Sequence, residues 1–511
     1  MESVDTQGRT QGVELVDTQG RTQGKKAGLY ERLKDYAASD FYPWHMPGHK
    51  RRLMEFVNPF SIDITEIAGF DDLHHPEGIL KEAMEEAAAV YGSEKTWFLV
   101  NGSSCGILAA VCAAVRPGGR LLMARNCHKS AYHAALLGQL EVSYVYPELI
   151  EEGFYGELRP EAVEAGLKAD PDIEAVIMVS PGYEGVVSDV EAIAQIVHRY
   201  GCTLIVDEAH GAHLPFGASL GFPESALSKG ADIVIQSLHK TLPSLTQTAL
   251  IHLGKESRIS AQKLAFYLQI YQSSSPSYLL MASIDSCIRL MSGEKGQQLM
   301  QSYARNLLEV RSYLGRKLRR LRLYQPGEGE RYDPSKLVII ADGNSGIDGG
   351  TLADMLRRCR HLEPEMNTDR YVILMSSPAD QKEGFERLAQ ALIEIDEKLE
   401  AAALVSDDRE QKNTIFAILP QKAPYAQMKP VSAAFTQGEW VPVSQAVKRI
   451  CHDFVYIYPP GIPLLVPGEV LEESQRTVIE AWRDHGLEVH GIGGGDGKEA
   501  QIFVLPAGLQ S

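Results

Sequence analysis

No run of 18 apolar residues occurs in the 511-residue chain, and its first residues hold no apolar, signal-like stretch. On sequence grounds this argues against a membrane span or an exported precursor. Basic charge is also scarce. Fifty Lys+Arg stand against 67 Asp+Glu, a formal net charge of -17. An acidic surface disfavours nucleic-acid and membrane-surface partners and suits a small cationic ligand. The seven cysteines include no C-x-x-C pair, so neither a zinc site nor a disulfide framework is indicated. An odd number of scattered thiols fits a reducing compartment, and the sequence reads as cytoplasmic. Gly-Lys-Ser and Gly-Lys-Thr are both missing, which removes a P-loop ATPase even though Asp207-Glu-Ala-His210 resembles a Mg²⁺-binding box.

The chain does contain an exact duplication. Val4-Asp-Thr-Gln-Gly-Arg-Thr-Gln-Gly12 recurs as Val16 to Gly24. Two polar copies cannot build a solenoid or bury a core, so residues 1–26 read as a disordered tail. From 27 to 325 the pattern becomes an alternation of short β-rich apolar runs and amphipathic helices, the mark of a mostly parallel sheet in an α/β domain. The runs end at Met123, Val179, Val206, Ile235 and Leu253. One crossover is explicit: Ser188 or Asp189 caps, Val190, Ile193 and Val197 form the stripe, and Gly201 closes it. A smaller α/β domain is expected over 326–404, a linker over 405–430 and an α+β domain over 431–511. The Gly491–Gly497 run fails G-x-G-x-x-G spacing and reads as a loop.

Open parallel sheets bind ligands beyond the carboxyl ends of their strands, and several polar groups gather at that edge. Lys240, in Ser237-Leu-His-Lys240, follows one strand. Asp207 ends another, 240 − 207 = 33 residues earlier, one βαβ repeat away. Ser180 ends a third. Asn101-Gly-Ser-Ser104 opens an apolar helix, which is either an anion cradle or an ordinary Ser cap. His128, in Asn126-Cys-His-Lys-Ser130, lies near the same edge, as an aromatic face or simply a core or surface histidine. Alone, a lysine is usually solvated. Together these groups offer an amine, a carboxylate, a phosphate cradle and a flat ring, the needs of a phosphorylated pyridine aldehyde. Asp207, His210 and His213 read poorly as a metal cluster because their spacing is loose.

Ordered stretches then carry a specific resemblance. They are His45-Met-Pro-Gly-His-Lys50, Asp63-Ile-Thr-Glu66, Asp71-Asp-Leu-His74, Gly102-Ser-Ser104, His128-Lys-Ser130, Asp207-Glu-Ala-His210, Ser237-Leu-His-Lys240, Ser274-Ser-Pro-Ser-Tyr278 and Tyr458-Pro-Pro-Gly-Ile-Pro463. The chain resembles the bacterial ornithine/lysine/arginine decarboxylases, fold-type I pyridoxal-phosphate enzymes, in a short form without a wing domain. The resemblance implies α-decarboxylation of a basic amino acid, feeding polyamine metabolism, in at least a homodimer. It implies that Lys240 holds pyridoxal 5'-phosphate as a Schiff base and that Asp207 pairs with the pyridine nitrogen. His128 stacks on the ring, and His210 lines its edge. Ser103, Ser104, Ser237 and His239 bind the phosphate, and Ser274 or Ser275 reaches a neighbouring subunit's phosphate. Lys240 or a nearby histidine reprotonates the α-carbon. Glu363 and Glu365 are candidate partners for the substrate's distal cation, or else solvated glutamates. Departures from the family pattern include Gly102-Ser-Ser for Gly-Thr-Ser, Pro181-Gly-Tyr183 for Pro-Thr-Tyr, Arg51-Arg52, and Val447-Lys448. An aminotransferase or aldolase of the same fold, or a non-catalytic cofactor binder, are the rival readings.

Overall fold

Seven strand segments build the central sheet, and all but the edge segment Glu141–Val145 are largely buried. They are β1 (Lys95–Leu99), β2 (Arg120–Ala124), β3 (Glu141–Val145), β4 (Ile173–Val179), β5 (Thr203–Asp207), β6 (Ile233–Gln236) and β7 (Ala249–Leu253). Their order is β1-β7-β6-β5-β4-β2-β3. Only β7 runs against its neighbours. Continuous apolar runs are what a sheet covered by helices on both faces requires. The computed structural model describes residues 28–52, 57–341, 344–405, 429–484, 486–494 and 499–507. The repeated tail and nearly all of the expected linker lie outside these residues.

The described chain divides at Phe41. Before that point, a helix spans Leu29–Ala38 and ends where the Ser39 N–H donates to the Tyr36 carbonyl at 3.1 Å. Everything below belongs to the second unit, from Tyr42 onward.

The crossover between β4 and β5 shows how local chemistry shapes the sheet. The Asp189 carboxylate accepts the Ala192 N–H at 3.1 Å and caps the helix Val190–Arg199. Ile193 and Val197 are fully buried on its inner stripe. Gly201, at φ +79°, turns the chain into β5, a left-handed position that favours glycine. Of the two cap candidates, the structure selects Asp189. Ser188 instead donates no cap; its hydroxyl accepts the Leu158 N–H at 2.9 Å.

The long helix Glu294–Lys317 leads into the smaller sheet, β8 (Arg322–Leu323), β9 (Lys336–Ile340), β10 (Met366–Asn367) and β11 (Tyr371–Met375), in the order β8-β9-β11-β10. Strand and helix alternate here as expected, but every pairing is antiparallel. The helix Gly349–Arg360 is followed by a hairpin, β10 to β11, that reverses the chain before it reaches β9. The C-terminal residues add two three-stranded antiparallel sheets. One contains β12 (Glu439–Pro442), β16 (Ile492–Gly493) and β17 (Gln501–Val504). The other contains β13 (Val455–Ile457), β14 (Pro463–Leu465) and β15 (Val489–His490). The helix Glu473–Asp484 buries Val478, Ile479 and Trp482 between them. The glycine run expected to be a loop is therefore strand in part, since Gly493 pairs with Gln501. Backbone pairing with β17 offsets glycine's missing side chain there.

A buried ion pair joins this C-terminal domain to the end of β2. Arg125, 4% exposed, donates to Glu469 at 3.3 Å and to the Leu464 carbonyl at 3.1 Å. Its guanidinium also lies over the rings of Tyr132 and Tyr144. Such a pair holds register only because further hydrogen bonds compensate its desolvation.

Candidate active site

The parallel strands of the central sheet all deliver polar residues to their carboxyl edge. After β6, Ser237 starts the short helical turn Leu238–Thr241, which carries Lys240. Lys240 Nζ lies 3.1 Å from His210 Nε2. Burial pulls the lysine's pKa down, while the charges of Asp207 and Glu365 pull it back up. A lowered pKa favours the neutral, nucleophilic amine.

Asp207 ends β5 with 5% exposure, and the Ala209 N–H donates to its Oδ1 at 3.0 Å. Burial raises its pKa, with the Lys240 charge opposing. A buried carboxylate of this kind stabilises a protonated ring nitrogen brought beside it.

His128 caps the helix Lys129–Leu137. Its Nδ1 accepts the Ser130 N–H at 3.3 Å and lies 2.8 Å from the Ser130 hydroxyl. Burial, then the charge of Lys240, pushes its pKa down to about 3, so the ring is a neutral aromatic plate. His210 is neutral too, since burial and Lys240 hold its pKa well below the ordinary range. Its Nδ1 is buried without a partner, and the Tyr183 ring lies 4.7 Å away.

Whether a phosphate and pyridine ring fit this edge can be tested on the unsatisfied groups. The Ser237 and Thr241 hydroxyls are buried without hydrogen-bond partners, as is Asn126 Oδ1. Buried polar atoms normally find partners, so these are groups waiting for one. Ser103 and Ser104 sit in the first turn of the helix Gly102–Ala114, where free amides and the helix dipole favour an anion. The residues present therefore fit pyridoxal phosphate. His239 fits less simply. Its Nδ1 donates to the Thr248 carbonyl at 2.9 Å, and burial pushes its pKa down to about 4. The neutral ring then turns a lone pair outward at Nε2, which does not hydrogen-bond to a phosphate dianion unless the ring is protonated.

Three expectations need correction or sorting. The Ser180 hydroxyl does not aim into the crevice; it accepts the Ser188 N–H at 3.2 Å, because the chain turns back toward Val186–Val187. Glu363 pairs with Arg357 at 2.8 Å. Glu365 is different. Tyr183 donates its hydroxyl to Oε1 at 2.6 Å, the Met46 N–H donates to Oε2 at 2.9 Å, and its charge reaches Lys240. The strand Leu362–Pro364 pairs with Tyr42–Trp44 and ends before Glu365, so the two glutamates, though only two residues apart, meet different partners. His213 hydrogen-bonds Asp333 at 3.2 Å. Ser274 and Ser275 are exposed.

Sequence reasoning passed over two supports. Lys50 is buried and donates to the Pro43, His45 and Met375 carbonyls at 2.9, 3.1 and 2.8 Å. The Gly48 N–H donates to the His239 carbonyl at 2.6 Å, and a Cβ on Gly48 would meet Leu242 backbone at 2.7 Å. The His45–Lys50 stretch is thus a strap across the Lys240 turn, and its match to the family pattern was the available signal. The other support is Lys336, fully buried and paired with Asp333 at 3.1 Å, whose charge lowers the pKa of Lys240. No sequence pattern marked it.

Comparison with known proteins agrees with this geometry. Residues 27–330 match the Orn/Lys/Arg decarboxylase major domain, and residues 410–483 match the C-terminal domain of the same family. The arginine decarboxylase of Bacillus subtilis is 32% identical over 480 residues, covering 91% of this chain and 95% of that protein. The lysine decarboxylase LdcA of Pseudomonas aeruginosa is 22% identical and covers 93% and 79%. The crystal structure of the Francisella novicida lysine decarboxylase LdcF superposes with a TM-score of 0.73 at 20% identity, covering 88% of this chain and 75% of that one, a likeness of fold. With both domains matched and a relative aligned almost end to end, the chain belongs to the Orn/Lys/Arg decarboxylase family.

Proposed function

We propose that this protein removes the α-carboxyl group of a basic amino acid as CO₂, with pyridoxal phosphate held on Lys240 and arginine as the substrate. The observation that carries the reading is the placement of Lys240 and Asp207 at one sheet edge, near enough for each charge to act on the other. When bound, the cofactor supplies the electron sink that the departing carboxyl group needs. The chain's own residues do the rest. Asp207 keeps a proton on the facing ring nitrogen, and neutral His128 supplies a flat wall. Ser103, Ser104 and Ser237 receive the phosphate, and His239 joins them through its backbone turn or when protonated. Lys240 is half-buried at this edge. Lys240 Nζ and His210 Nε2, in contact, are the groups able to return a proton to the α-carbon.

Arginine is favoured by relatives named arginine decarboxylase that align over nearly their full length. Glu365 is the carboxylate suited to the distal cation, because two donors orient it and its charge reaches the lysine. The resulting amine belongs to polyamine chemistry in the cytoplasm. The protein works as at least a homodimer, with Ser274 or Ser275 reaching the neighbouring copy's phosphate.

The test is CO₂ release from arginine, lysine and ornithine measured side by side. Arginine should exceed the others by at least about tenfold in kcat/KM, equivalent to roughly 1.4 kcal/mol. Transamination without CO₂ would overturn the reading in favour of an aminotransferase. Activity in a sedimenting monomer would remove the role of Ser274 and Ser275.

A further inference from the structure

We infer that Gly461, in the C-terminal domain, is a positioning residue that sets the tilt of the His128 ring against the cofactor. The inference rests on the reading above, in which His128 faces the pyridine ring.

Opposite edges of the His128 ring meet different parts of the chain. Its Nδ1 edge is held by Ser130, through the hydroxyl at 2.8 Å and the amide at 3.3 Å. Its other edge lies on Gly461: a Cβ built there would be 3.1 Å from Cδ2 and 3.2 Å from Nε2. That is tighter than ordinary carbon contact, and Tyr458 Cδ2 would lie 3.2 Å from the same Cβ, so a side chain here presses the ring, the tyrosine or both to give by a few tenths of an ångström. Gly461 also has φ +80°, a conformation glycine adopts without strain.

The glycine is itself held firmly. Its carbonyl accepts the Lys129 N–H at 3.0 Å, and its own N–H donates to the Ile457 carbonyl at 3.0 Å. Lys129 Nζ donates to the Tyr456 hydroxyl at 3.0 Å and lies over the rings of Tyr456 and Tyr458. Three residues before His128, the buried Arg125–Glu469 pair fastens the same domain to β2. Both ends of the Arg125–Lys129 segment are thus tied to the C-terminal domain, and Gly461 is the residue of that domain that faces the ring. Ser130 holds one edge of the ring, so tilt about that edge is the freedom left, and a side chain at 461 would shift it.

A double-mutant cycle on the full chain separates this from a purely structural role, because the backbone cost of a positive φ is common to both backgrounds. Gly461→Ala, His128→Ala and the double variant are compared with the parent by pyridoxal phosphate titration of the apo protein, followed by fluorescence quenching. Circular dichroism of the bound cofactor is the second readout, and urea unfolding of the apo forms is the third. Gly461→Ala should weaken cofactor binding at least about tenfold and alter the visible dichroism, whereas in the His128→Ala background it should cost less than about twofold. A chain with Gly461→Ala that folds only when His128 is also replaced supports the same conclusion. Equal costs in both backgrounds, no cost in either, or failure to fold in both would overturn it. The parent titration distinguishes the two readings. If the parent binds the cofactor and the cycle is additive, only the role of Gly461 falls; if the parent does not bind it, the proposed function falls as well.

Discussion

Lys240 Nζ, on a half-buried lysine, and Nε2 of the buried His210 lie 3.1 Å apart, with neither ring nitrogen of His210 bonded to another side chain among the described residues. Burial and Lys240 keep His210 neutral, and the direction of the hydrogen bond between the two follows the tautomer of the ring. Either way the contact orients the amine. Borohydride reduction of the cofactor-loaded protein should therefore fix the cofactor on Lys240, and Lys240→Ala should abolish turnover. His210→Phe should keep the covalent label but lower kcat by about tenfold, roughly 1.4 kcal/mol of lost orientation. A reduced peptide carrying the label on another lysine would refute the assignment.

Asp207 separates catalysis from simple cofactor retention. Asp207→Asn removes the charge that favours a protonated ring nitrogen, while the amide keeps the Ala209 N–H contact. Decarboxylation should fall about a hundredfold, roughly 2.7 kcal/mol, with the visible band of the Lys240-bound cofactor still present. Single-turnover CO₂ release and absorbance in the same sample check this. Retention of both would show that Asp207 is not the ring partner.

Ser237 makes opposite predictions for the apo and loaded protein. Its hydroxyl is fully buried and unpartnered, so Ser237→Ala removes an unsatisfied group and should leave the apo protein as stable or more so by up to about 1 kcal/mol. The same change should weaken cofactor binding by about tenfold. Thermal melts with and without pyridoxal phosphate would detect a crossing of the two effects. A variant less stable without cofactor would mean that the hydroxyl has a structural partner.

Glu184 controls a pH dependence that is independent of the chemistry. Its carboxyl accepts the Tyr371 hydroxyl at 2.9 Å, and burial raises its pKa from 4.5 to about 7. A raised folded-state pKa gives stability that is complete below the unfolded value of 4.5 and is lost as pH rises through about 7. Glu184→Gln keeps an acceptor for Tyr371 and carries no charge at any pH. It should stabilise the protein by about 1–3 kcal/mol near pH 8 and change little near pH 4.5. Urea unfolding at both pH values gives the comparison, and an unchanged slope in the Gln variant would exclude Glu184 as its source.

Lys240, Asp207, His128 and the serine pair were legible in the sequence for one reason. Each lies within a few residues of the end of a strand whose apolar run is unmistakable, and a parallel sheet gathers those ends on one edge. The α/β class and the explicit crossover from Asp189 to Gly201 follow from equally local patterns. What the chain does between distant segments was not legible there. Glu363 and Glu365 are indistinguishable by composition, yet a short strand and Arg357 separate their surroundings. Ser180 stands at a strand end like Asp207, but the following turn claims its hydroxyl. Asp333 joins His213, 120 residues away, and Gly461 faces His128, across separations for which no periodicity exists. Local pattern determines which residues reach the sheet edge, because strand and helix periods are short. Side-chain direction and domain packing decide which of them touch, because those contacts form only when the whole core has closed.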